Sequence, residues 1–205
     1  MVGQTIGSRL VALGYEVMMG SRKKDNEKAV KWASENGANA SNGTFADAAK
    51  FGSIIFLCTK GEATLEILKL AGHENFKNKT VADISNPLDF SKGMPPTLFV
   101  CNDNSLGEKV QEAIPGAFVV KTLNIVNCEV MVNANKSGGS PTMFVSGNNA
   151  DAKKEITGIL KQFNWEDVID LGNISTARGT EMMLPIWLRT FMATGNGYIA
   201  FKIIR

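Results

Sequence analysis

The stretch Met1-Val2-Gly3-Gln4-Thr5-Ile6-Gly7-Ser8-Arg9-Leu10-Val11-Ala12-Leu13-Gly14-Tyr15-Glu16-Val17-Met18-Met19-Gly20-Ser21-Arg22 decides the fold. Val2, Ile6, Leu10 and Leu13 recur at the spacing of one helix face, and Gly14 stops that helix. Tyr15 to Met19 is a short apolar run of strand type bounded by Gly20, so the chain opens with a helix that feeds a strand.

A helix that begins at Met-Val-Gly and delivers a strand ending in Gly-Ser-Arg matches the first crossover of a dinucleotide-binding unit, with Gly3 as the third glycine of G-x-G-x-x-G. This reading expects a sequence that enters the fingerprint halfway, with the first two glycines and the first strand immediately ahead of Met1. In the doubly wound strand order 3-2-1-4-5-6 that strand is central and buried on both faces. The competing explanation is that Gly3 and Gly7 serve only close helix packing.

Composition narrows the alternatives. Apolar residues make up 44% and charged residues 20% of 205, and the formal net charge is +2, which leaves no field strong enough to recruit nucleic acid. The three cysteines, Cys58, Cys101 and Cys128, are widely spaced and form no C-x-x-C pair, so neither a disulfide framework nor a metal site is indicated and a cytoplasmic setting is expected. The most apolar late segment, 182–204, is interrupted by Arg189, Asn196, Lys202 and two glycines and is no membrane span.

Downstream, strands alternate with helices. Residues 25–36 read as a helix closed by Gly37; 38–41 as a short edge strand; Thr44 with Asp47 as the start of a helix over 45–51. The continuous apolar run 53–58 and the run 80–85 have the character of parallel strands covered on both faces, with a helix over 62–72 between them. A helix over 106–114, a strand over 117–121, and a further strand (142–146), helix (150–163) and strand (168–171) extend the same sheet. From 175 onward apolar residues at helical spacing predict a long helix kinked or restarted at Pro185, with a short closing segment at 199–204. The fold class is therefore α/β, a doubly wound Rossmann-type parallel sheet with helices on both faces and a C-terminal helical segment. Residues 1–172 are assigned to the nucleotide-binding domain and 173–205 to that segment.

Ligands of such sheets bind outside the carboxyl ends of the strands. Four ends carry suitable residues here: Gly20-Ser21-Arg22, Thr59-Lys60-Gly61, Asn86-Pro87 and Asn124. Where an NAD-binding unit places an acidic residue for the ribose hydroxyl, this chain has Gly20, followed by Ser21, Arg22, Lys23 and Lys24. A hydroxyl donor and a planar guanidinium suit phosphate oxygens, so NADP is expected over NAD. The alternative is that the basic triplet is an ordinary solvated loop. Met1 and Val2 offer backbone N–H groups to the pyrophosphate from the helix N-terminus. His73 reads as a helix-end surface histidine and Cys58 as a small core residue.

Met1-Val2-Gly3, Gly20-Ser21-Arg22, Phe56-Leu57-Cys58-Thr59, Asp83-Ile84-Ser85-Asn86-Pro87, Lys121-Thr122-Leu123-Asn124, Asp170-Leu171-Gly172 and Phe201-Lys202 together resemble the NADPH-dependent reductases of the deazaflavin coenzyme F420, and equally the broader group of dinucleotide-binding enzymes on that fold. The resemblance spans nearly the whole chain. It implies an oxidoreductase in which hydride passes directly between NADPH and a stacked deazaflavin or flavin ring, a transfer that needs no protein nucleophile. No catalytic residue is therefore nominated. The cofactor-binding set is Met1, Val2, Gly3, Ser21, Arg22, Lys23, Thr59, Lys60, Asn86, Pro87 and Asn124. A reductase of another small substrate such as a quinone or imine, and a non-catalytic NADP sensor, are the competing functions. The surplus of apolar side chains between Met182 and Phe201 predicts a homodimer whose contact closes the acceptor pocket.

Overall fold

The computed structural model describes residues 1–205. The opening stretch folds as its pattern dictates. Helix α1 (Val2–Ala12) buries Ile6, Gly7 and Leu10, and strand β1 (Val17–Ser21) follows, two residues later than the apolar run suggests. Helix α2 (Glu27–Glu35) is capped by the Asn26 side chain, which accepts from Ala29 N at 3.1 Å, and strand β2 (Ala40–Thr44) pairs with β1 in parallel. Thr44 and Asp47 form a full capping box at the start of α3 (Phe45–Phe51).

Strand β3 (Ile54–Leu57) leads through a short turn to α4 (Thr64–Ala71), and β4 (Thr80–Asp83) is buried throughout. A small antiparallel ribbon, β5 (Leu88–Asp89) with β6 (Thr97–Leu98), projects beyond it. Helix α5 (Leu106–Ala113) and β7 (Phe118–Lys121) follow, then the one-turn α6 (Cys128–Met131), β8 (Thr142–Gly147), α7 (Ala150–Gln162), β9 (Asp167–Asp170) and α8 (Ala177–Thr194).

The main sheet has the order β3-β4-β7-β8-β9, and β1-β2 forms a separate two-stranded piece. One expectation changes here. β8 runs antiparallel to β7, so the third strand-helix-strand repeat enters the sheet reversed and only β8 with β9 is again parallel. The connection from β7 carries α6 but no helix packed back along the sheet, so nothing returns the chain to the starting edge for a parallel crossover.

Two apolar clusters cover the faces of the sheet. One gathers Ile6 and Leu10 of α1 with Ile156 of α7, Phe163 and Trp165; the other gathers Leu68 of α4 and Leu106 and Val110 of α5 with Phe76. Pro185 lies inside α8, which runs on through it to Thr194 without restarting. Proline removes the N–H that the Glu181 carbonyl would accept, and the turn around Glu181 is held instead through its carboxylate, as described below. Residues after Gly195 lie along the sheet: Thr142 N donates to the Phe201 carbonyl at 2.8 Å, and Asp167 accepts from Lys202 Nζ (2.8 Å) and Arg205 (2.7 Å). The Lys202 contact, with Thr142 and Arg205, holds the Asp167 carboxyl well below the usual carboxylate range.

No helix is long and apolar enough to cross a membrane. Helix α8 buries Leu184, half-buries Trp187, and leaves Met182, Ile186, Phe191 and Met192 exposed. Trp187 stacks on Phe191 and donates its indole N–H to the Ile199 carbonyl at 3.0 Å, which ties the end of the helix to the closing segment.

Candidate functional site

The carboxyl ends of β1, β3, β4 and β7 open on one side of the molecule, and each brings polar groups there. α1 begins at this rim. A Cβ built on Gly3 would stand 3.5 Å from the Cys58 Cβ and 3.8 Å from the Met19 sulfur, so the first turn of the helix rests on the ends of β3 and β1. Met1 is 88% exposed, while Val2 and Gly3 are half-buried.

At the end of β1, Arg22, Lys23 and Lys24 are exposed, and Ser21 donates its hydroxyl to the Lys23 carbonyl. The Arg22 guanidinium stands 3.9 Å from Glu66 at the start of α4, with both side chains mostly in water. A pair so exposed contributes little on its own and leaves the fork free to turn. Of the nominated cations, Arg22 therefore faces the β3 end and its helix, across the mouth of the crevice.

At the end of β3, the Thr59 hydroxyl lies 2.7 Å from that of Thr64, which also donates to the Lys60 carbonyl at 3.0 Å. These bonds fix the Thr59-Lys60 backbone as it turns into α4, and leave the exposed Lys60 side chain free. Gly61 then passes so close to the next strand end that a Cβ there would fall 1.9 Å from the Asn86 carbonyl oxygen. Only a residue without a side chain admits this approach, which packs the Lys60-Gly61 turn directly on the Asn86 backbone.

Asn86 and Asn124 form a reciprocal pair. Asn86 Nδ2 donates to the Asn124 carbonyl at 2.8 Å, and Asn124 Nδ2 donates to Asn86 Oδ1 at 3.0 Å and to the Thr180 carbonyl of α8 at 3.1 Å. Asn86 and Asn124 are thus locked together, and Asn124 to α8. Cys58, behind the rim, is no thiolate: burial and the negative Asp83 push its thiol up to about 12. His73 sits exposed in the turn after α4, away from the strand ends. No cluster of metal-ligating side chains occurs.

The feature that motif reading misses lies directly beneath Asn86 and Asn124. Lys121, fully buried at the end of β7, places Nζ 2.9 Å from Asp83 Oδ2 and 2.8 Å from Glu181 Oε1, and donates to the Ser85 carbonyl at 2.6 Å. Burial opposes its charge, but the two carboxylates outweigh burial and hold its ammonium above the ordinary lysine value. Glu181 in turn accepts from Leu106 N (2.8 Å) and Gly107 N (2.9 Å), the free N–H groups at the start of α5. The sequence does carry a signal for half of this: Asp83 and Lys121 close two otherwise apolar strands and are register partners.

Comparison with known proteins decides the family. The profile of the family described as NADP oxidoreductase, coenzyme F420-dependent, matches residues 1–87. The F420-dependent NADP reductase of Methanocaldococcus jannaschii is 31% identical over 184 residues, covering 86% of this chain and 82% of that protein. The chain belongs to the F420-dependent NADP oxidoreductase family. A solved structure from Arthrobacter sp. FB24, described as a candidate F420-dependent NADP-reductase, superposes with a TM-score of 0.94 at 43% identity, over all of this chain and 95% of that one. An imine reductase of Myxococcus stipitatus in complex with NADP+ shares the fold at 12% identity, with a TM-score of 0.61 over 95% of this chain and 60% of its own. The F420-dependent oxidoreductase fold is thus an α/β Rossmann-type sheet, and this member of the family is an NADP-dependent oxidoreductase.

Proposed function

We propose that the chain transfers hydride between NADPH and a deazaflavin or flavin-like acceptor. What supports this reading is the exposed Ser21-Arg22 turn at the end of β1, where Arg22 reaches towards α4, together with the hydrogen-bonded Asn86–Asn124 pair after β4 and β7. The residues present suit a phosphorylated dinucleotide: the close contact of Gly61 on Asn86 fixes two strand-end turns side by side, and no acidic residue stands at the end of β1 to prefer a free ribose hydroxyl.

In this reading Arg22 and Lys23 would hold the 2′-phosphate, and Ser21 would turn its hydroxyl from the Lys23 carbonyl to donate to it. The backbone N–H groups of the first α1 turn, at Val2 and Gly3, face the pyrophosphate, with Met1 leading into them. Thr59, Lys60, Asn86 and Pro87 would hold the nicotinamide half, with Asn124 fixed beside them by its bond to the Thr180 carbonyl. NADPH supplies the hydride when bound. The protein's part is to hold two flat rings at contact distance and exclude water, which calls for apolar covering more than for titrating groups. The inert Cys58 thiol and the absence of a histidine at the strand ends accord with this. The exposed apolar side chains of α8 would be covered by a second copy of the chain, and the free cysteines suit a reducing cytoplasm. Sedimentation at micromolar concentration checks the dimer: the wild type should sediment as a dimer and Trp187→Asp as a monomer.

Replacing Arg22 by Ala should weaken NADPH binding about tenfold to a hundredfold and leave NADH nearly unchanged, since a hydrogen bond to a charged group contributes roughly 1.5 to 3 kcal/mol. Titration of both nucleotides by fluorescence measures this, and equal losses would remove Arg22 from the phosphate site. Stopped-flow oxidation of NADPH against deazaflavin, riboflavin derivatives and quinones tests the acceptor; turnover with quinones or imines alone would replace the proposed acceptor class.

A further inference from the structure

Lys121, Asp83 and Glu181 form a saturated charge cluster. The Lys121 ammonium has three N–H groups and three acceptors: Asp83 Oδ2 at 2.9 Å, Glu181 Oε1 at 2.8 Å and the Ser85 carbonyl at 2.6 Å. Asp83 Oδ1 accepts from Ser85 N, Glu181 Oε1 from Gly107 N and Glu181 Oε2 from Leu106 N. Every carboxylate oxygen thus accepts from at least one N–H, and the cluster is one ammonium with two carboxylates, a net charge of −1. All three residues are at most 1% exposed, so neither water nor salt screens that charge well.

One acid would balance the ammonium. The second leaves an excess negative charge where charge is costly, and the half positive charge at the N-terminus of α5 offsets only part of it. We propose that this excess is the electrostatic counterpart of the nicotinamide ring: the cluster favours the cationic ring of NADP+ over the neutral ring of NADPH, and so tilts hydride transfer towards the reduced acceptor. The inference rests on the reading that Asn86 and Pro87 hold the nicotinamide half, and it adds a direction to that reading.

Position supports it. The ammonium holds the carbonyl of Ser85, the residue before Asn86, and Glu181 follows Thr180, whose carbonyl accepts from Asn124 at 3.1 Å. The cluster therefore lies one residue behind each member of the Asn86–Asn124 pair. Other charges at the strand ends do not cancel it. Arg22 and Lys60 are exposed and screened by water, and Arg178 on α8 is matched by Glu108, which accepts from its Nε at 2.9 Å. With all its N–H groups engaged, Lys121 has no proton to pass on, so the cluster acts through its field alone.

NADP+ and NADPH differ only at the nicotinamide ring, so phosphate and ribose contacts cancel in the ratio of their affinities. The hydride leaves with both electrons of its C–H bond and reduces the acceptor. A protein that holds NADP+ more tightly than NADPH thus shifts the balance towards the reduced acceptor by that ratio.

Titration of NADP+ and of NADPH into the wild type, Glu181→Gln, Asp83→Asn and Glu181→Asp tests this. At about 10 Å and an effective dielectric constant of about 20, a unit charge changes the affinity for a cation about tenfold. Glu181→Gln and Asp83→Asn each remove one negative charge at nearly constant volume, and should weaken NADP+ relative to NADPH by about that factor, in low salt and in high salt alike. Glu181→Asp keeps the charge but shortens its reach to α5, and should leave the ratio within about twofold even where both affinities fall. A ratio unmoved in both neutral variants, or moved as far by Glu181→Asp, would overturn the inference while leaving the site reading intact. Where neither neutral variant folds, the wild type decides: it should bind NADP+ at least as tightly as NADPH, and a preference for NADPH of more than about tenfold would overturn the inference. A wild type that binds neither nucleotide would overturn the site reading itself, and this inference with it. None of these readouts depends on an acceptor or on turnover.

Discussion

Replacing Lys121 by Met should lower stability by about 3 to 5 kcal/mol, because it leaves the Asp83 and Glu181 carboxylates buried and facing each other without the cation between them. At about 2 to 4 °C per kcal/mol for a chain of this size, Tm should fall by about 6 to 20 °C. The two carboxylates are not left equally exposed to this loss. Glu181 keeps two backbone donors at the start of α5, and Asp83 keeps Ser85 N and Oγ, at 2.9 and 2.6 Å. Adding Asp83→Asn to Lys121→Met should therefore recover part of the loss, since one uncompensated charge is removed while its amide can still accept from Ser85. Thermal and urea unfolding of the two variants measure this. A loss below about 1 kcal/mol, or no recovery in the double variant, would show that the three groups do not act as one charge network.

The second large effect is expected at Gly61. In Gly61→Ala the new Cβ would meet the Asn86 carbonyl oxygen at 1.9 Å, its carbon at 2.8 Å and Leu106 Cδ2 at 3.1 Å. Two of those atoms are backbone, so no rotamer change relieves the clash, and the Lys60 turn and the Asn86-Pro87 turn must part. Such overpacking costs typically about 1 to 3 kcal/mol and occasionally more. The parting also displaces the Lys60 and Asn86-Pro87 turns proposed to flank the dinucleotide, and NADPH affinity should drop about tenfold or more. Gly139→Ala is the matched control, since nothing lies within 4 Å of a Cβ there and no positive φ is required. Both variants retaining wild-type affinity and Tm would mean that the approach is not needed for the site.

How far the sequence carries depends on the range of the interaction that decides each feature. The helix at Val2–Ala12, the capping box of Thr44 with Asp47, and the buried runs of β3 and β4 are set by residues within a turn or two, and each is legible from periodicity and cap chemistry. The strand ends at Ser21, Thr59, Asn86 and Asn124 are legible too, because alternation of strands and helices places them on one side. The reversal of β8 is not. An apolar strand reads alike in either direction, and its sense is set by the path of the connection from β7. Of the two outcomes that Pro185 allows, a kinked or a restarted helix, the continuous α8 excludes only the restart. The Lys121 network joins residues 38 and 60 positions apart in the chain, and nothing local announces Glu181 as its third member. Gly61 looks like any turn glycine until the Asn86 carbonyl is seen against it.

Glu181 limits how α8 could move to admit the proposed acceptor. By accepting from the first N–H groups of α5, a side chain of α8 serves as the cap of another helix. Swinging α8 outward would strip that cap, leave Lys121 with one carboxylate, and break the Asn124 bond to Thr180, three losses for one motion. α8 is thus a fixed wall and not a door. If the chain takes a flat acceptor as proposed, room for its ring would have to come from another part of the rim; the β5–β6 ribbon carries exposed Phe90, Met94 and Phe99.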